Sequence, residues 1–71
     1  MTEHDCAINN YTRLREIGFS PERSSYYSAQ WACHSVEIIG HRYDNGRLFA
    51  RLSPHNGAPE YELELHLGGP Q

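Results

Sequence analysis

The stretch Asp44-Asn45-Gly46-Arg47 constrains the fold more than any other, because it predicts a tight reversal of the chain. Asn-Gly readily takes the positive φ values of a two-residue type I′ turn, whose twist matches that of the flanking strands. A hairpin closed by this turn has a fixed register. Three cross-strand pairs follow: Tyr43 with Leu48, His41 with Ala50, and Ile39 with Leu52.

The half of the chain around this turn is rich in strand-forming residues. Three strands are predicted, over Val36–Tyr43, Arg47–Leu52 and Tyr61–Leu67. A loop over residues 53–60, which contains two prolines and a glycine, joins the last two. Short connections of this kind predict an antiparallel meander.

The first segment reads as a helix that ends near Ile17. Thr2 is the predicted N-cap, with Asp5 at the third helical position, and Gly18 gives the C-terminal stop. A shorter helix that starts at Asn9 or Asn10 is the alternative. One face of the longer helix is formed by Ala7, Tyr11, Leu14 and Ile17.

A second start signal follows at Ser20-Pro21-Glu22, where a capping hydroxyl precedes a proline and an acid. We predict a helix from Pro21 to about Ala32. A long first strand is the competing interpretation, because aromatic residues and serines form helices poorly.

These elements predict an α+β fold, with one or two N-terminal helices packed on a three-stranded antiparallel β-meander. The whole chain, residues 1–71, is expected to form a single small domain. Residues 1–35 are mainly helical in this interpretation, residues 36–67 form the meander, and residues 68–71 form a frayed tail.

Strand alternation divides the side chains of the sheet between two faces. The inner face, predicted to lie under the helices and their Leu14, Ile17, Phe19 and Trp31 side chains, has mostly apolar residues: Ile39, His41, Tyr43, Leu48, Ala50, Leu52, Tyr61, Leu63 and Leu65. The outer face has mostly charged residues: Arg42, Arg47, Phe49, Arg51, Glu60, Glu62, Glu64 and His66. In this register Arg51 faces Glu62 and Phe49 faces Glu64.

Phe49 is the unusual member of the outer face, because an aromatic ring is not needed for solubility among charges. One interpretation is structural: the ring packs under the 53–60 loop or beneath arginine stems. The other makes Phe49 an anchor in a partner's pocket, flanked by Arg42 and Arg51, since aromatic residues and arginine are enriched at binding hot spots. Tyr26, Tyr27 and Trp31 are further aromatic candidates, of which at least one is expected in the core.

The acidic residues Glu60, Glu62 and Glu64 form a stripe on a predicted edge strand. Charged edges commonly prevent aggregation between strands, and this is the default interpretation. The alternative is a docking surface for a basic partner.

The charge balance disfavours a general nucleic-acid binder. Nine acids against six bases, all of them arginine, give a net charge of −3, whereas such binders need a concentrated basic face. A single-stranded nucleic-acid-binding domain that uses Phe49 and the outer-face arginines Arg42, Arg47 and Arg51 remains the first alternative.

Four possible zinc ligands are present in His4, Cys6, Cys33 and His34, but neither pair has the spacing of a usual zinc hook. A zinc-stabilised domain is the second alternative, and no cofactor is expected. Neither cysteine lies in a catalytic signature, so we expect reduced structural thiols and no enzymatic activity. His41 is expected to be a core histidine satisfied by a tyrosine or a carbonyl.

The sequence therefore predicts a small non-enzymatic protein-binding module, an inhibitor or regulator that occupies a partner's surface. Stand-alone acidic chains of this size often act as accessory, antitoxin-like or phage-encoded anti-host proteins. Homodimerisation is a further expectation, because so short a chain gains core by self-association. With no apolar run of membrane-spanning length and no apolar leader, cytoplasm is the expected location.

Overall fold

Two helices precede a three-stranded antiparallel sheet in the computed structural model, which describes residues 2–66. The elements are α1 (Glu3–Ile17), α2 (Pro21–Cys33), β1 (Val36–Asp44), β2 (Arg47–Pro54) and β3 (Tyr61–Leu65). The strand order is β1-β2-β3, so the predicted α+β meander is confirmed. The predicted tail at residues 68–71 and strand end at Leu67 lie outside the described residues. Neither helix is long and apolar enough to span a bilayer.

Helix α1 begins where the sequence predicted, because Thr2 and Asp5 cap each other. The hydroxyl of Thr2 accepts a hydrogen bond from the N–H of Asp5 at 3.1 Å, and the Asp5 carboxylate accepts from the N–H of Thr2 at 3.5 Å. Gly18 ends the helix with a φ of 123°, a conformation that a residue with a Cβ rarely adopts. The alternative start at Asn9 or Asn10 is wrong.

Helix α2 is also a helix as predicted, and the competing strand interpretation is wrong. Ser20 caps it by accepting the N–H of Arg23 at 3.2 Å, and Pro21 occupies the first turn. The buried stripe of α2 consists of small residues four positions apart: Ser24, Ser28 and Ala32. Small side chains at this spacing let a helix approach its neighbour closely.

The buried stripe of α1 differs from the predicted one in the first half of the helix, where each buried position lies one residue earlier. Tyr11 is exposed and Ala7 only half-buried, whereas Cys6 and the polar Asn10 are buried. Leu14 and Ile17 are buried as predicted; the complete buried set is Cys6, Asn10, Leu14 and Ile17.

Asn10 is buried because it covers the open edge of β1. Its Oδ1 accepts the N–H of Ile38 at 2.8 Å, and its Nδ2 donates to the carbonyl of Val36 at 3.0 Å. The side-chain amide thus makes the two bonds that a peptide group of an adjacent strand would make.

The hairpin between β1 and β2 has the predicted type I′ turn, with φ values of 53° at Asn45 and 78° at Gly46. The predicted pairs Tyr43 with Leu48 and His41 with Ala50 are confirmed. The predicted pair Ile39 with Leu52 is wrong, because a β-bulge interrupts the ladder. Ile38 faces Leu52 and Gly40 faces Arg51, so Ile39 is an extra residue in β1.

The hydrophobic core lies between the helices and the inner face of the sheet. It is formed by Leu14, Ile17, Phe19, Val36, Ile38, Leu48, Ala50, Leu52 and Leu65, with Tyr27 and Trp31 packed against it. The predicted cover by the helices and by Phe19 and Trp31 is therefore confirmed.

Part of the predicted inner face is open to solvent. Tyr43 is 57% exposed, Tyr61 45% and Leu63 41%, and Ile39 in the bulge is exposed as well. His41 is exposed too, with its ring edge-on to Tyr43 at 5.8 Å, so the prediction of a core histidine is wrong. The buried inner-face residues run obliquely, from Val36 and Ile38 to Leu48 and Leu65, and the helices leave two opposite corners of the sheet uncovered.

Candidate functional site

The outer face of the sheet brings together seven of the nine residues that the sequence predicted to bind a partner. Strand alternation from the type I′ turn places them there, and the bulge at Ile39 lies before the first of them. The seven residues are Arg42, Arg47, Phe49, Arg51, Glu60, Glu62 and Glu64. Phe49 lies at the centre, with Arg42 opposite on β1 and Glu64 opposite on β3.

Two arginines reach diagonally to glutamates on β3. Arg42 donates Nε and one terminal nitrogen to the two carboxylate oxygens of Glu62, at 2.8 Å each. Arg47 makes the same two-bond contact with Glu64, at 2.8 and 2.7 Å. Arginine suits this geometry because its planar fork matches a carboxylate. Arg42 therefore links the two outer strands across β2.

The ring of Phe49 lies beneath these guanidinium groups. The guanidinium carbon of Arg42 is 4.6 Å from the ring centroid, and that of Arg47 is 5.5 Å away. Both distances are within the range of cation–π attraction. Phe49 is half-buried on the outer face, which agrees with the interpretation that it packs beneath arginines. We call Phe49, Arg42, Arg47, Glu62 and Glu64 the Phe49 cluster.

The ion pairs fix the charge state of the Phe49 cluster. Hydrogen bonds from Arg42 lower the pKa of Glu62, and hydrogen bonds from Arg47 lower the pKa of Glu64. The same contacts raise the pKa of Arg42 and of Arg47. All four side chains are therefore ionised at neutral pH.

Arg51 and Glu60 extend the outer face at its other end. Arg51 faces Glu62 in the register, as predicted, but its nearest carboxylate oxygen belongs to Glu60, at 3.1 Å. Its distance to Glu62 is 3.9 Å. Glu62 is directed to Arg42 instead, which leaves Arg51 held by fewer contacts than the other two arginines.

The remaining two predicted residues, Tyr26 and Tyr27, lie in the helical layer. Tyr27 packs against the core and contacts the ring of Phe19 edge-on at 5.9 Å, whereas Tyr26 is exposed. Because the core occupies the inner face, these tyrosines are on the opposite side of the sheet from Phe49. The prediction that at least one of these aromatic residues belongs to the core is confirmed.

The two cysteines lie in different surroundings. Cys6 is buried, and its thiol donates to the carbonyl of Val36 at 3.3 Å. Cys33 is an exposed free thiol at the end of α2. Within residues 2–66, no group of three or more His, Cys, Asp or Glu side chains is placed to hold a metal ion.

The sequence did not reveal the exposed apolar side chains of β3. Tyr61 and Leu63 have the inner-face parity that the sequence predicted, and alternation alone indicates burial. They are exposed because the helices cover only part of the inner face, and the strand pattern carries no information on which part is covered. No family model, curated protein or solved structure matches this chain.

Proposed function

We propose that this chain is a non-enzymatic protein-binding module, an inhibitor or regulator that occupies a partner's surface with the outer face of its sheet. One observation supports this most: the ring of Phe49 lies beneath the guanidinium groups of Arg42 and Arg47, and each arginine is held by two hydrogen bonds to a glutamate. An aromatic ring framed by arginines has the composition of a binding hot spot.

The ion pairs of the Phe49 cluster order its side chains before any partner arrives. Immobilising a long side chain at an interface costs about 0.5–1.5 kcal/mol, and a surface that is ordered in advance avoids much of that loss.

The same contacts favour a protein partner over a nucleic acid. A phosphate backbone would have to displace Glu62 and Glu64 from their arginines, and the displaced carboxylates would then repel it. Across the outer face three arginines are balanced by three glutamates. The face therefore lacks the positive field that draws nucleic acids.

The state of Cys6 argues against this thiol as a catalytic nucleophile. Burial raises the pKa of its thiol, with the nearby Glu37 carboxylate as a second cause. A catalytic cysteine needs the opposite shift, because the thiolate is the nucleophile.

The test is a comparison of partner recovery by immobilised wild type and three variants. Phe49→Ala removes the ring and Arg51→Glu reverses a charge at the margin of the face. Tyr26→Ala is the matched control, since it removes an exposed aromatic ring from the helical layer. We expect at least one protein that wild type and Tyr26→Ala retain and that the other two variants bind at least about tenfold more weakly. Equal recovery by all four proteins would contradict the proposal.

The nucleic-acid alternative has a separate test. A mobility-shift assay with a single-stranded oligonucleotide at low salt would show binding that weakens steeply as salt rises. Binding that Phe49→Ala abolishes and Tyr26→Ala preserves would support the alternative. We expect no shift.

A further inference from the structure

Within residues 2–66, the two edge strands of the sheet, β1 and β3, differ in whether their outward backbone groups are hydrogen-bonded. At Val36 and Ile38 the edge of β1 is covered by α1, through the amide of Asn10. On β3 the hairpin geometry shows which groups point outward. In a two-residue type I′ hairpin the residues next to the turn exchange hydrogen bonds, and bonded and non-bonded pairs then alternate.

This alternation directs the backbone groups of Leu48, Ala50 and Leu52 toward β3. Their partners Leu65, Leu63 and Tyr61 therefore point back at β2. Glu62 and Glu64 consequently direct their N–H and C=O groups away from the sheet. Within residues 2–66, neither backbone has a hydrogen-bond partner on that side.

We propose that a second copy of this chain pairs with this edge, so that β3 and its symmetry mate lie antiparallel in a six-stranded sheet. A five-residue strand overlaps its mate fully only when its central residue, Leu63, lies on the two-fold axis. Glu62 of each copy then exchanges two hydrogen bonds with Glu64 of the other, which gives four backbone bonds in all.

On the inner face, the side chains of the two copies that meet in this register are apolar. Leu63 meets the Leu63 of the second copy as a non-hydrogen-bonded pair, in which side chains are closest. Tyr61 faces Leu65 of the second copy. The two exposed inner-face residues of β3, Tyr61 and Leu63, are thus covered by the pairing.

The charges on the outer face are also compatible. Glutamates on an edge strand normally oppose self-pairing, because like charges face each other. In this register Glu62 faces Glu64 of the second copy, but each carboxylate is already bonded through both oxygens to an arginine of its own sheet, Arg42 or Arg47. The four side chains form a row in which two arginines enclose two glutamates, with no net charge.

A short edge-to-edge contact falls at the low end of the interface sizes that stable complexes bury, below about 1,200 Å² in total. We therefore expect a concentration-dependent equilibrium between a monomer of 8.2 kDa and a dimer of twice that mass. Sedimentation equilibrium of the full chain over a range of concentrations measures it. A monomer at all concentrations would overturn the proposal.

The decisive variant is Leu63→Lys, which places two like charges across the axis at a position already exposed in the monomer. It is expected to weaken self-association at least about tenfold. Ile8→Lys is the matched control, because Ile8 is also exposed but lies on α1, and it should leave the equilibrium unchanged. A dimer that survives Leu63→Lys, or that Ile8→Lys also disrupts, would exclude this edge as the interface.

Two further measurements distinguish edge pairing from other contacts. Hydrogen exchange at the amides of Glu62 and Glu64 should slow as concentration rises. Slow exchange in a monomer would instead assign the edge to another part of the same chain. Arg42→Ala should weaken the dimer by exposing the charge of Glu62, and Arg42→Ala combined with Glu62→Gln should restore it. Failure of this rescue would contradict the role given to charge compensation.

Discussion

The amide of Asn10 accepts the N–H of Ile38 at 2.8 Å, so that a helix side chain completes the hydrogen bonding of the first strand. The same amide donates to Val36, and Asn10 itself is fully buried. Together with Asn9 and Cys6, Asn10 therefore joins the two halves of the chain, and it covers the edge of β1 at Val36 and Ile38.

Replacing Asn10 by Leu should destabilise the fold, although leucine is apolar and of similar size. The change leaves the N–H of Ile38 buried without its partner, and the carbonyl of Val36 keeps only the weaker thiol donor of Cys6. A buried unsatisfied group of this kind costs about 1–3 kcal/mol. For a domain of this size each kcal/mol lowers the Tm by about 4–8 °C. Thermal unfolding followed by circular dichroism measures the effect. Glu16→Leu, at an exposed position of the same helix, is the control, and an equal loss in both variants would contradict the role of Asn10.

Replacing Gly46 by Ala should destabilise the hairpin. The φ of Gly46 is 78°, and a Cβ added there meets no heavy atom within 4 Å, so the cost is that of the backbone conformation alone. That cost is about 1–2 kcal/mol. Gly40→Ala is the matched control, because it also meets nothing within 4 Å and its φ is not in the positive range. Urea unfolding should give a lower midpoint for Gly46→Ala only.

The ion pairs of the Phe49 cluster should make stability depend on acidity. Hydrogen bonds from Arg42 and Arg47 hold the pKa of Glu62 and of Glu64 below the ordinary value of 4.5. The folded state therefore binds fewer protons than the unfolded state in this range. The stabilisation is present above the unfolded pKa and is lost as the pH falls from about 4.5 through the folded values.

A double variant, Glu62→Gln with Glu64→Gln, tests this dependence. It should lower the Tm at neutral pH, and its curve of Tm against pH should converge with that of wild type in acid. Glu16→Gln removes an exposed carboxylate that has no arginine partner within residues 2–66, and it serves as the control. Curves for wild type and the double variant that stay parallel down to about pH 3 would contradict the prediction.

The two thiols should differ sharply in reactivity. Cys33 is exposed, whereas Cys6 is 2% exposed and burial raises its pKa. A disulfide reagent should therefore modify Cys33 at once and Cys6 only when the protein unfolds. Cys33→Ser should abolish the fast phase and Cys6→Ser should leave it. Fast modification of both thiols in wild type would contradict the burial of Cys6.

The turn at Asn45 and Gly46 made the outer face predictable, because strand parity counted from a turn of known geometry assigns each side chain to a side. The count holds from Asp44 back to Gly40 and fails at the bulge. The alternation of apolar residues does not show which of Ile38 and Ile39 is buried opposite Leu52 and which is the bulge. That depends on where α1 meets the edge of β1.

The buried stripe of α1 shows a second feature that the sequence pattern does not predict. Apolar periodicity selected Tyr11 over Asn10, because it counts hydrophobic residues and cannot register a polar side chain that is buried to satisfy a strand edge. The uncovered corners at Tyr43 and Leu63 are a third feature that the sequence pattern does not predict. The part of a sheet that helices cover is decided by packing between elements that are distant in sequence. The diagonal bonds from Arg42 to Glu62 were not predicted either. The register shows only which residues lie directly opposite each other, whereas the long side chain of arginine reaches past its direct neighbour.

Strand β1 contains one residue more than its pairing with β2 requires, which is Ile39 in the bulge. Because Ile38 faces Leu52 and Gly40 faces Arg51, deleting Ile39 closes a regular ladder in which every remaining side chain keeps its side of the sheet. Within Leu48–Leu52 of β2, every residue pairs with a residue of β3. A deletion there would move all side chains on one side of the deletion to the opposite face of the sheet. Evolutionary loss of a codon is therefore expected to be tolerated at this point of the first strand and eliminated by selection in the middle of the second.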